Sequence, residues 1–66
     1  MKNTLKVERA IKNFTQEELA KRIGVSRQTI TAMEANKYVP STVLALKIAR
    51  VFEKPVEHIF LLEEAD

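Results

Sequence analysis

Apolar residues recur along this chain at helical intervals, and no stretch alternates apolar with polar long enough for a strand. Five helical segments can be read. Val7, Ala10, Ile11 and Phe14 share a face, which predicts a first helix from about Thr4 to Lys12, with Asn3 as its cap. Asn13, which tolerates the left-handed conformation, can end it. A second helix opens at Thr15, where "TQEE" spells a capping box: the Thr15 hydroxyl accepts from the Glu18 amide, and Glu18 reaches back. Its inner face is Leu19, Ala20 and Ile23. Gly24, the one glycine, stops this helix because a residue without Cβ enters the left-handed region freely.

Ser26 caps a third helix two residues later, with Ile30 and Met33 as its inward anchors. After the loop "ANKYVP", Ser41 caps a fourth helix carrying the apolar stripe Leu44, Ile48, Val51 and Phe52. Pro55 breaks that run and starts a short fifth helix through Ile59 and Phe60. The tail "LLEEAD" fits either a frayed helix end or an extended piece pairing with another subunit. The expected class is all-α, one domain over residues 1–66, with a short extended C-terminal tail if the second of these holds.

Two helices joined by a short glycine turn make a helix-turn-helix unit, here about residues 16–35. Ala20 stands four residues before Gly24, where a larger side chain would push the helices apart. Leu19, Ile23, Val25, Ile30 and Met33 supply the small core between them. The polar residues that follow Gly24 are therefore left to face outward.

Charge sharpens this picture. Residues 1–40 hold eight Lys and Arg against four Glu, a balance of +4; residues 41–66 hold three against five acids, a balance of −2. A basic first part favours a polyanionic partner, and the acidic tail should turn away from it. With no cysteine, disulfides and thiolate metal sites are excluded. The single His58 has no companions for a metal site or a catalytic constellation, so neither metal, cofactor nor enzyme activity is expected. No apolar run approaches the about 18 residues of a membrane span. "MKNTLKVERA" is charged where a signal peptide needs an apolar core, so a cytoplasmic location is expected.

"TQEELAKRIGVSRQTITAME", with "NKYVPS", "ALKIARVF" and the closing "VEHIF", resembles the lambda-repressor/Cro-like (Xre) family of transcriptional regulators over roughly Leu5 to Phe60. The segment order is similar to the small stand-alone members, which bind operators as dimers. The resemblance implies a five-helix fold with the third helix in the major groove of double-stranded DNA. Arg27, Gln28, Thr31 and Ala32 match positions that face base edges. Arg can donate twice to guanine, Gln can pair with adenine, and the Thr and Ala methyls can meet a thymine methyl.

Gln16 matches a position that touches phosphate. Thr29, Asn36, Lys37 and Tyr38 could grip the flanking backbone. Read alone, Arg27 and Gln28 are ordinary solvated residues at a helix start, and Lys37 and Tyr38 fit loop packing as well as phosphate contact. Arg9 and Glu34 match an internal ion pair of some relatives. Two departures stand out: Ala35-Asn36 replaces the usual Asn-Gly, and Glu8 stands where many members place an apolar residue.

The resulting expectation is a dimeric repressor on a near-palindromic operator, with Ile59, Phe60, Leu61 and Leu62 as the dimer contact. An antitoxin or other protein-interaction module is the alternative. No small-molecule ligand is suggested.

Overall fold

The computed structural model describes all of residues 1–66. The chain runs β1 (Lys2–Asn3), α1 (Leu5–Lys12), α2 (Gln16–Ile23), α3 (Arg27–Glu34), α4 (Thr42–Phe52), α5 (Val56–Ile59) and β2 (Phe60–Leu61). One cluster of eleven buried side chains takes members from all five helices and from β2. Leu5, Leu19, Ile30, Met33, Ile48 and Ile59 are wholly enclosed in it.

Local chemistry sets most boundaries. The Thr15 hydroxyl accepts from Glu18 N at 3.0 Å, and the Glu18 carboxylate accepts from Thr15 N at 3.1 Å. Ser26 and Ser41 cap α3 and α4 by accepting from Thr29 N and Leu44 N, each at 3.2 Å. Asn13 ends α1 in the left-handed region, φ 59°. Glu53 does the same for α4 at φ 56°, without the freedom of a glycine.

The inner face of α1 differs from the one its apolar periodicity predicts. Val7, Ala10 and Ile11 are exposed, whereas Leu5 and Glu8 are buried. The reason lies across the fold: Lys54, just beyond α4, donates to the Glu8 carboxylate at 2.8 Å. That partner lets a charge occupy an inward position. Thr4, not Asn3, holds the cap position of α1 and makes no side-chain cap bond, because the helix starts one residue later than expected; Asn3 lies outside it, accepting from Leu5 N at 3.1 Å. Phe14, half-buried, closes the core edge against Phe52 at 6.3 Å, beneath the Arg22 guanidinium.

The C-terminal tail opens as an extended piece that pairs within its own chain. α5 stops at Ile59, and Phe60 turns extended to begin β2. In the antiparallel pair, Lys2 lies opposite Leu61 and Asn3 opposite Phe60. The amino group of Met1 meets Asp66 at 3.0 Å and Glu63 at 3.1 Å. These contacts hold the amine above its usual range, chiefly through Asp66. No helix is long and apolar enough to cross a membrane.

Candidate nucleic-acid interface

The interface is built around the turn between α2 and α3. Gly24 takes φ 75° and ψ 36°, and its N–H returns to the Ala20 carbonyl. Val25 N also reaches that carbonyl, at 3.0 Å, so the chain reverses within one turn. Ala20 is buried at the crossing, as its small size requires. Ile30 and Met33 lock the inner side of α3 into the core.

That leaves Arg27, Gln28 and Thr31 exposed on the outer side, with Ala32 half-buried beside them. Arg27 stands in the first turn of α3, which holds no acidic residue. A cation at a helix N-terminus opposes the backbone dipole, so the fold gains nothing from it there. It forms no ion pair, and neither does Lys37.

Behind this face lies a connected polar chain. Arg9 and Glu34 form a two-pronged ion pair, Nε to Oε2 and Nη2 to Oε1 (3.0 Å), and Arg9 also donates to the Phe14 carbonyl at 2.9 Å. Burial pushes the Glu34 carboxyl up, but hydrogen bonds from Arg9 and Gln16 outweigh it and hold the group below its usual range. Glu34 in turn, through its hydrogen bond, raises the Arg9 guanidinium.

Gln16 Nε2 donates to Glu34 Oε1 at 3.2 Å, while its oxygen accepts from Arg27 Nε at 3.3 Å and the Thr31 hydroxyl at 3.2 Å. The Thr31 hydrogen is shared with the Arg27 carbonyl, 3.1 Å away. An ionised carboxylate only accepts, so Glu34 dictates which way the Gln16 amide faces. Gln16 therefore ties Arg27 and Thr31 to the ion pair. No spacing in the sequence announces that link, because its members lie 11 to 25 residues apart.

The flanking residues are distributed less evenly. Thr29 is half-buried, and its hydroxyl bonds that of Ser26 at 3.0 Å. Asn36, Lys37 and Tyr38 are exposed just past α3, and Asn36 takes the left-handed turn at φ 60°. Tyr38 keeps 44% of its surface exposed.

The four residues expected at a dimer contact separate. Ile59 is fully buried and Phe60 nearly so, because the core of their own chain takes them; Leu61 and Leu62 stay exposed at 40% and 82%. Beside them opens an apolar groove lined by Met1, Val39, Pro40, Leu46, Val56 and Phe60.

Five helices, a capped glycine turn and an outward polar face define a lambda-repressor-like helix-turn-helix domain. A family model described as helix-turn-helix matches residues 5–59. An uncharacterized HTH-type transcriptional regulator of Methanocaldococcus jannaschii is 58% identical over 64 residues, covering 97% of each chain. Another, from Archaeoglobus fulgidus, is 53% identical over 66 residues, all of this chain and 93% of the relative. The uncharacterized regulator YgzD of Bacillus subtilis is 48% identical over 64 residues and 97% of each. The chain belongs to the helix-turn-helix family, in its Xre-like branch.

Proposed function

We propose that the protein is a sequence-specific, double-stranded-DNA-binding transcriptional regulator that acts in the cytoplasm as a dimeric repressor. One observation carries the reading. The unpaired Arg27 stands with Gln28 and Thr31 on the outer face of α3, held from behind by Gln16. Arg27, Gln28, Thr31 and Ala32 read base edges in the major groove, Ala32 with the part of its surface left open. Gln16, Thr29, Asn36, Lys37 and Tyr38 hold the backbone on either side. Two subunits set their α3 helices in successive major grooves, about 34 Å apart, on a near-palindromic site.

The dimer forms through Leu61, Leu62 and the adjoining apolar groove; the exposure of Leu61, Leu62 and, in the groove, of Val39 and Leu46 supports the pairing. Titration of a labelled duplex at several salt concentrations tests the DNA face. Lys37→Ala should weaken binding to every sequence and reduce the salt slope by about one unit, whereas Arg27→Ala should lose roughly 1–3 kcal/mol on the cognate site alone. Equal, sequence-independent losses in both variants would put the reading residues elsewhere. A Leu61→Asp/Leu62→Asp variant that keeps the parent's mass in solution and its affinity would remove the dimer surface.

A further inference from the structure

Asn3 lies in β1, outside every segment given above to nucleic acid, yet its side chain reaches the loop after α3. Its Nδ2 donates to the Met33 carbonyl at 2.7 Å and to Asn36 Oδ1 at 3.0 Å, and its Oδ1 accepts from Leu5 N at 3.1 Å. Every hydrogen-bonding site on its NH2 is used. The two backbone partners cannot exchange roles, since an N–H only donates and a C=O only accepts. They fix the Asn3 amide in one orientation. Turning it over would set NH2 against N–H and oxygen against carbonyl.

The fixed Asn3 then dictates Asn36. A donor faces that residue, so Asn36 must present its oxygen inward and its own NH2 on the opposite side. The backbone of Asn36 is pinned as well, by its left-handed φ of 60° and by the 3.0 Å bond from its N–H to the Met33 carbonyl. Asn36 is exposed, and its Nδ2 hydrogens have no partner within the chain.

We propose that Asn3 is a positioning residue for DNA: it holds the Asn36 side chain with its donor edge outward, in the form a phosphate oxygen accepts. The inference rests on the DNA reading above and adds the terminal strand β1 to the machinery of backbone recognition. Since β1 pairs with β2, the strand that carries Leu61 connects to this loop through one side chain.

A double-mutant cycle on duplex affinity tests it, with the fold of each variant checked by circular dichroism and melting. Asn3→Asp turns the donor into an acceptor, so Asn36 must present NH2 inward and oxygen outward. Binding should fall about tenfold on cognate and scrambled duplex alike, the scale of one lost hydrogen bond to a charged group. In an Asn36→Ala background the same change should cause no further loss. Asn3→Ala, which adds no charge, should give a smaller loss that also vanishes in that background, and it carries the cycle if Asn3→Asp unfolds.

Equal losses in both backgrounds would overturn the proposal, because Asn3 would then act through charge or the fold alone. Asn3 variants that bind like the parent would also overturn it while leaving the DNA reading intact, provided Arg27→Ala still loses affinity. A parent chain that retains no duplex would defeat the DNA reading, and this inference with it.

Discussion

The side-chain oxygen of Gln16 accepts a hydrogen bond from Arg27 Nε at 3.3 Å, across the turn joining α2 to α3. The nitrogen of the same amide is held by Glu34 at 3.2 Å. Gln16 is thus clamped from behind and limits the swing of Arg27 in front. Gln16→Ala removes the backbone contact proposed for Gln16 and also makes binding bear the ordering of Arg27, the latter at about 0.5–1.5 kcal/mol per immobilised long side chain. Calorimetric titration of a cognate duplex should show that loss together with a less favourable entropy. An unchanged entropy would mean that Arg27 is ordered by something else.

The Arg9–Glu34 pair is the fold's main internal charge contact, with only 15% and 9% of the two side chains accessible. Arg9→Met leaves the Glu34 carboxylate without its counter-ion and should cost about 3 kcal/mol by denaturant unfolding, the lower end for breaking a buried pair. Arg9→Met/Glu34→Leu should recover part of that loss. The pair also gives stability a pH dependence. Glu34 holds its proton less readily folded than unfolded, so the unfolded chain takes up more protons as the solution is acidified. Its contribution is complete above about pH 4.3, the unfolded value, and is lost as pH falls through the lower folded one. Glu34→Gln should flatten the melting temperature across that window, and a parallel curve for parent and variant would refute the assignment.

Gly24 and Glu53 end helices in the same left-handed conformation with opposite suitability. A Cβ on Gly24 would meet nothing within 4 Å, so Gly24→Ala should cost only the backbone preference, about 1–2 kcal/mol. Glu53→Gly relieves the same strain and should stabilise by up to about 1 kcal/mol. Urea unfolding of both variants should give shifts of opposite sign. A neutral Gly24→Ala would mean that the glycine is not required by the turn.

The helix ends were legible because their causes are local. The Thr15–Glu18 box, Gly24, Ser26 and Ser41 each act within four residues, and the structure uses each as the sequence implies. What the sequence concealed depends on distant partners. Glu8 turns inward because Lys54, 46 residues away, meets its charge, and that rotates Val7 and Ile11 out to solvent. The Lys2–Asn3 strand is too short to show alternation and exists only because Phe60 and Leu61 return beside it. The residues of the polar face could be assigned from the family resemblance, but Gln16 as a bridge and Asn3 as an anchor emerge only when the chain is folded.

On the proposed function, the outer face of α3 reads DNA sequence through Arg27. In-vitro selection of bound duplexes, run in parallel with the parent chain and with Arg27→Ala, tests it most directly. The parent should enrich a near-palindrome with half-sites one helical turn apart, and the variant should lose preference at one base pair in each half while keeping the rest. Identical enriched sequences from both proteins would mean that Arg27 reads no base.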